Sequence, residues 1–487
     1  MITNAQNSLK EAEERVGKNH WKLKYHITAP AYWINDPNGF CFYKGEYHLF
    51  YQHHPYSPEW GPMHWGHVKS KDLASWEHLP IALAPSEDYD HDGCFSGSAI
   101  EKDGNLYLMY TGNVWTGDNH ETDLKQVQCL AVSEDGIHFE KIPQNPVIDS
   151  APEGDIHPYH FRDPKVWKHN DDYYCVLGSR TKEHMGQILL YRSKDLFHWE
   201  FLNVAARGEG NFGYMWECPD IFPLDGQDVL MMSPQGMSPE GHLYHNLHQS
   251  GYVLGKLDYE SGKLHHKQFQ LLDFGFDVYA PQTMIDPQGR RIMIAWMAMW
   301  ESHMPEQQYN WAGAMTIPRE LTIENDKIIC RPVKELEALR ENPLTYQDII
   351  VKGETELANV KGHSIELKIM INPKDATTFG IKLRTSKDGK EETVLSYNKE
   401  TELFIFDREK SGAGPGGIRK VPIKLIEGLL QLHIFVDSSS LEVFINNGEK
   451  VMTGRIYPSE SSTGIYFFSD KEVNICQLAK WDMKRYE

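Results

Sequence analysis

The chain has 487 residues, 40% of them hydrophobic and 24% charged, with 69 acidic against 49 basic side chains and a formal charge of -20. That length exceeds one ordinary core and asks for two domains or a repeat architecture with a companion. The globular composition excludes a disordered, collagen-like or coiled-coil chain, and the acidic field disfavours nucleic acid and anionic membrane surfaces as partners.

Met1 to Lys18 is polar with no apolar stretch, so neither a secretory signal nor a lipid anchor is read there and a cytoplasmic location is expected. Within it Ala5, Leu9, Ala12 and Val16 fall at helical spacing and predict a short amphipathic helix, the N-terminal extension of residues 1–19. After it the signal is β. Aromatic and β-branched runs alternate with Gly, Asp and Asn turns at Phe40 to Tyr43, Tyr47 to Tyr51, Leu106 to Tyr110, Tyr173 to Leu177, Ile188 to Tyr191 and Val229 to Met232.

Two repeats run in phase. Ser70-Lys71-Asp72-Leu73-Ala74-Ser75-Trp76-Glu77 recurs from Ser133 to Glu140 and from Ser193 to Glu200, with its aspartates 63 and 60 residues apart. Small or Pro-containing turns, each followed by a strand, begin near Asp36-Pro37, Ser96-Gly97, Asp163-Pro164, Pro219-Asp220 and Pro281. Five starts of roughly sixty-residue units imply radially repeated antiparallel sheets. The prediction is an all-β protein, a five-bladed β-propeller over residues 20–332 followed by a β-sandwich.

Val333 to Arg340 has a short helical pattern, and residues 333–345 are read as a linker. Alternating strands then appear at Ser364 to Ile371, Thr377 to Leu383, Leu403 to Phe406, Gln431 to Val436, Ser440 to Ile445 and Gly464 to Phe468, with Asn446-Asn447-Gly448 as a hairpin turn. Residues 346–487 form the sandwich. The longest apolar run, Ile292 to Trp300, has nine residues, about half of the roughly 20 that cross a bilayer. The seven cysteines stand singly, with no C-x-x-C pair, which suits reduced thiols better than disulfides or a zinc cluster.

If the repeats are blades, their inner-strand starts converge on the central channel. Three starts carry a carboxylate: Asp36 in Trp33-Ile34-Asn35-Asp36-Pro37, Asp163 in Phe161-Arg162-Asp163-Pro164 and Glu217 in Trp216-Glu217-Cys218-Pro219-Asp220. One Asp-Pro alone merely opens a turn. Three in register bring three acids into one funnel, where mutual repulsion splits their pKa values as glycoside cleavage requires.

The stretch from Trp33 to Gly39, Phe161-Arg162-Asp163-Pro164 and Glu217-Cys218-Pro219-Asp220 resemble the signature motifs of glycoside hydrolase family 32, and Val436 to Phe444 resembles a strand pair of its C-terminal sandwich. The resemblance covers essentially the whole chain. It implies a retaining β-fructofuranosidase in which Asp36 is the nucleophile and Glu217 the general acid and later base. Asp163 would hold fructose hydroxyls, with Arg162 beside it fixing its ionised form. It further implies a fructose pocket lined by Trp33, Asn35, Gln52, Trp60, Phe95, Ser96 and Tyr279, with Trp296 or Trp300 completing it. Cys218 is read as packing rather than as a nucleophile.

The expected substrate is a small fructoside, sucrose or sucrose 6-phosphate. The alternatives are an exo-acting fructan hydrolase of levan or inulin type, or a non-catalytic sugar-binding propeller. Lys165 and Arg180 are the possible contacts for a phosphate on the glucosyl side. No metal or organic cofactor is implied: His242, His245 and His248 lack a partner ligand at metal spacing, and Gly412 to Gly417 lacks the Lys that follows a phosphate loop. His64 and His67 are read as structural. Oligomeric state is not indicated.

Overall fold

The computed structural model describes residues 1–16 and 19–485. A helix, Ile2–Val16, leads the fold. Its Ala12 and Val16 share one apolar cluster with Trp21, Leu23, Trp311 and Tyr457.

Five antiparallel meanders follow. Their inner strands are Tyr32–Tyr43, Gly93–Lys102, Phe161–His169, Met215–Leu224 and Tyr279–Ile285. Each inner strand lies beside the next and the fifth lies beside the first, so the blades close a ring. The closure is hydrogen-bonded: Trp311–Ala312, after the fifth blade's second strand, adds in parallel to Tyr32 and Trp33, and Tyr32 N donates to Asn310 O at 2.7 Å. Radial repetition leaves only short, protected sheet edges.

The Ser-x-Asp repeat is the turn between the third and fourth strands of blades 1, 2 and 3. In each copy the Asp carboxylate accepts two following backbone N–H groups: Asp72 from Ala74 and Ser75, Asp135 from Ile137 and His138, Asp195 from Phe197 and His198. Leu73, Gly136 and Leu196, at the same turn position, all take a left-handed φ of 59°, 78° and 76°. Only the second copy uses the residue that adopts this without strain.

The Pro-containing starts are not turns, as the sequence suggested, but bulges inside the inner strands. The ladder slips between Ile34 and Pro37, Phe95 and Gly97, Val176 and Gly178 opposite Asp163-Pro164, Glu217 and Asp220, and Tyr279 and Gln282. A proline cannot donate to a ladder, so it is tolerated where the ladder is already interrupted. Asp163, Cys218 and Ala280, each preceding its proline, take left-handed φ values of 64°, 48° and 51°. Such residues cost about 1–3 kcal/mol each and persist where surrounding packing holds them. The bulges re-aim side chains toward the axis.

The second domain starts earlier than expected. Lys334–Leu339 is a 3-10 helix and a strand begins at Arg340, inside the stretch read as linker, so the chain crosses between domains without a loose segment. This strand, Arg340–Glu356, runs along the final one, Gly464–Met483. The final strand pairs through its first part with Thr378–Thr385 and through its second with Ile365–Asn372, joining the two leaves of the sandwich. Asn446, Asn447 and Gly448, all at positive φ, turn the hairpin between Ser440–Ile445 and Lys450–Arg455.

The domains meet through a buried ionic network. His26 bridges Asp437 (2.8 Å) and Glu442 (2.9 Å), while Arg319 reaches Glu442 (2.5 Å) and Asp273 (3.1 Å). Arg408 of the sandwich holds Asp277 of the propeller at 2.6 Å. No helix among the described residues is long and apolar enough to cross a membrane.

Candidate active site

A cavity of about 330 Å³ opens at one end of the propeller axis, and Asp36, Asp163 and Glu217 all line it. The bulge residue Cys218 links them. Its backbone N–H donates to Asp163 Oδ2 at 3.0 Å, and its thiol lies 3.4 Å from Asp36 Oδ2 and 3.7 Å from Asp163 Oδ2. Asp36 also accepts from Ser96 Oγ at 2.7 Å and Asn35 Nδ2 at 3.1 Å, and Asn35 is itself held by the Trp33 indole at 2.7 Å. Glu217 is the most heavily bonded acid. Its Oε1 accepts from Arg162 Nη2 (2.6 Å) and Nε (3.0 Å), and its Oε2 from Tyr279 OH (2.5 Å) and Gln235 Nε2 (2.8 Å). Gly178 lets the strand carrying Glu217 pass closely: a Cβ there would lie 2.1 Å from Trp216 O.

The three carboxyls divide unequally. Burial, then the charge of Glu217, raises Asp163 to about 7. Burial and the same charge raise Asp36, against the opposing bonds from Ser96, Asn35 and Cys218. Burial acts on Glu217 in the same sense, but Arg162 and the Tyr279 hydroxyl outweigh it and leave that carboxyl below its ordinary value. The sequence reading assigned Arg162 to Asp163. Its guanidinium gives its hydrogen bonds to Glu217 instead, while its charge still opposes the rise of Asp163.

Among the residues expected to line the pocket, Asn35, Gln52, Trp60, Phe95, Ser96, Arg162 and Trp300 do so. Trp33, Tyr279 and Trp296 do not. They are buried in the apolar bed beneath the cavity with Ala280 and Met299, against which Phe95, Cys218 and Trp300 pack. Trp33 stacks on Trp300 with centroids 6.1 Å apart, and Tyr279 acts through its hydroxyl on Glu217. Cys218, read as packing, contacts two of the acids, and burial with the neighbouring carboxylates raises its thiol far above the ordinary range, which disfavours the thiolate that nucleophilic attack needs. Lys165 lies below the site, its Nζ committed to Thr283 O at 2.6 Å and Asp220 at 3.1 Å.

The cavity has walls that the motifs did not reveal: Trp115 at the end of the second strand of blade 2, His120 and Glu121 from the loop after it, His160 before blade 3, and Tyr214 and Gln235 of blade 4. Trp115 and His120 stack at 3.9 Å and 13°. Trp115 at the end of a strand of the second repeat, followed by the polar loop up to His120, was the available signal.

Two family models match the chain: "Glycosyl hydrolases family 32 N-terminal domain" over residues 26–332 and "Glycosyl hydrolases family 32 C terminal" over residues 335–482. A sucrose-6-phosphate hydrolase of Escherichia coli is 43% identical over 484 residues, covering 98% of each chain. A raffinose invertase of Escherichia coli is 41% identical over 468 residues, covering 96% of this chain and 95% of the relative. Among solved structures, a Bombyx mori GH32 beta-fructofuranosidase mutant in complex with sucrose superposes with a TM-score of 0.88 at 35% identity, covering 99% of this chain and 98% of that one.

Proposed function

The chain belongs to glycoside hydrolase family 32, and from that premise we propose that it is a retaining β-fructofuranosidase hydrolysing the fructosyl bond of sucrose or sucrose 6-phosphate. The observation that carries this reading is the convergence of Asp36, Asp163 and Glu217 in one cavity, tied together through Cys218. A sugar-binding scaffold has no use for three buried acids whose charges raise two of one another's pKa values. A fructan hydrolase is disfavoured by relatives 43% and 41% identical that are named for sucrose 6-phosphate and raffinose.

In this mechanism Asp36 attacks the fructosyl anomeric carbon while Glu217 gives its proton to the departing glycosidic oxygen, and water then hydrolyses the fructosyl–Asp36 ester with Glu217 as base. Burial and the charge of Glu217 raise Asp163 to about 7 and so favour its protonated form before fructose binds. Fructose hydroxyls donating to Asp163 favour its ionised form; its proton then passes to Glu217. Protonating Glu217 removes the charge that raises both Asp36 and Asp163, so the ionised nucleophile and the protonated acid support each other. Ser96 and Asn35 orient the attacking carboxylate. A cytoplasmic location belongs to the same reading, because a phosphorylated disaccharide does not cross a bilayer unaided.

The test is glucose and fructose release from sucrose by wild type and by Asp36→Ala, Asp163→Ala and Glu217→Ala. The proposal expects hydrolysis by wild type and loss of about 10²-fold or more in each variant. Unimpaired turnover in any of the three removes that residue from the mechanism.

A further inference from the structure

From Glu217 a hydrogen-bonded chain runs outward to the cavity rim. Arg162 bonds Glu217, its Nη1 meets His160 Nδ1 at 3.2 Å, His160 Nε2 meets Glu121 O at 2.9 Å, and Glu121 Oε2 takes Arg180 Nη2 at 2.8 Å. The two ends of this chain are unlike. The Glu121 side chain is 69% exposed on the loop of blade 2, while that of Arg180 is 4% exposed at the end of the second strand of blade 3. Arg180 Nε has no hydrogen-bond partner among the described residues.

We propose that Arg180 is the phosphate-recognising group on the leaving-group side of the cavity and that Glu121 is its displaceable internal counter-ion. This rests on the β-fructofuranosidase reading and goes beyond it by naming the site that takes a phosphate ester.

Several observations converge on Arg180. The cavity wall itself carries one guanidinium, Arg162, and Glu217 occupies it; Arg180 stands behind the wall, paired to the lining residue Glu121. Lys165, the other cation the sequence suggested, is spent on Asp220. The departing sugar stands beside Glu217, on the side where the chain to Arg180 begins. Tyr214, which lines the cavity, feels the charges of both Glu217 and Glu121 and of both Arg162 and Arg180, so Arg180 lies close behind that wall. Behind His160, the His157 ring lies with its centroid 4.8 Å from that of His160 and 5.9 Å from that of His184. Asp155, beside the turn at Lys182, is already paired with Arg207 at 3.0 Å. Glu121 is therefore the acid that holds Arg180.

A guanidinium presents a planar fork that a phosphate engages through two oxygens. Burial fixes the Arg180 side chain, and its unpartnered Nε stands beside the Nη2 that Glu121 covers. The mobile partner is the exposed glutamate. A phosphate ester displaces Glu121 from Nη2 and gains Nε as well, whereas a neutral disaccharide leaves the ion pair in place. With a net charge of -20, the protein attracts a phosphate dianion only where such a local cation is uncovered.

The experiment compares kcat/KM for sucrose 6-phosphate and for sucrose, and product inhibition by glucose 6-phosphate and by glucose, in wild type, Arg180→Gln and Glu121→Gln. The expected result is that the phosphate-to-plain ratio falls about tenfold or more in Arg180→Gln and rises in Glu121→Gln, with inhibition by glucose 6-phosphate following the same order. The ratio is read within each variant, so a general loss of folded enzyme cancels. A ratio unmoved in Arg180→Gln, or lowered in Glu121→Gln, overturns the inference and leaves the β-fructofuranosidase reading standing. Failure of wild type to cleave either sugar overturns that reading instead.

Discussion

Arg162 donates to a single oxygen of Glu217 through both Nε and Nη2, at 3.0 and 2.6 Å. Adjacent residues on a strand face opposite ways, and the left-handed bulge at Asp163 turns that carboxylate toward the axis while Arg162 reaches across to the next blade. The pair next to one another in sequence is thus not the pair that hydrogen-bonds. The cation's work is to hold the proposed proton donor.

That relationship sets a pH prediction. Arg162 and Tyr279 keep Glu217 below its ordinary 4.5, so Arg162→Gln lets the carboxyl rise. A general acid works only while protonated, so the alkaline limb of kcat/KM on sucrose should move to higher pH, with kcat reduced about 10²-fold. Tyr279→Phe, which removes one neutral donor, should shift the limb the same way by less. A shift to lower pH in Arg162→Gln would contradict the role given to Glu217.

Leaving-group chemistry separates the two proposed partners. Glu217→Ala loses protonation of the departing oxygen, so a fructoside with a low-pKa leaving group should recover part of its turnover. Asp36→Ala should lose turnover on both kinds of substrate. Parallel rate measurements with sucrose and an activated aryl fructoside decide it, and equal loss on the activated substrate would mean the roles are misassigned.

The domain interface should be most stable in mildly acidic solution. Burial alone would lower His26, but Asp437 and Glu442 raise it above its ordinary 6.5, so its contribution is complete below pH 6.5 and fades as pH rises through the raised value. Against burial, His26 keeps Asp437 below 3.8, while Arg319 and then His26 keep Glu442 below 4.5; their contributions are complete above those values and fade as pH falls through the lowered ones. His26→Gln should flatten the alkaline decline in Tm. Glu442→Gln, which strips a carboxylate from the buried Arg319, should cost about 3–5 kcal/mol. Thermal melts across pH check both, and an unchanged Tm in Glu442→Gln would mean the network carries no stability.

The five blades were legible because the bulge that aims each inner strand leaves a printable trace, a small residue or proline at the same phase. The strand Arg340–Glu356 was not legible. It is mostly exposed and pairs with one neighbour, so it lacks the alternation that marks a half-buried strand. Within the site, Asp36, Asp163 and Glu217 were readable from repeat phase. The depth of Trp33, Tyr279 and Trp296 was not, because phase along a strand does not tell whether an aromatic ring lines a cavity or underlies it. His120, Glu121 and Tyr214 lie in inter-strand connections whose sequences do not repeat between blades, and their approach to the cavity follows from closing the ring.

The nucleophile can be tested by trapping the intermediate. Glu217→Gln, given an activated aryl fructoside, should form the fructosyl ester and hydrolyse it slowly, because the base for the second step is missing. Rapid acid quench, proteolysis and mass spectrometry of the peptides should then find one dehydrated fructosyl unit on the peptide carrying Asp36, bound to its carboxylate. A fructosyl unit on any other carboxylate, or fructose released with inverted anomeric configuration and no adduct, would contradict the double displacement at Asp36.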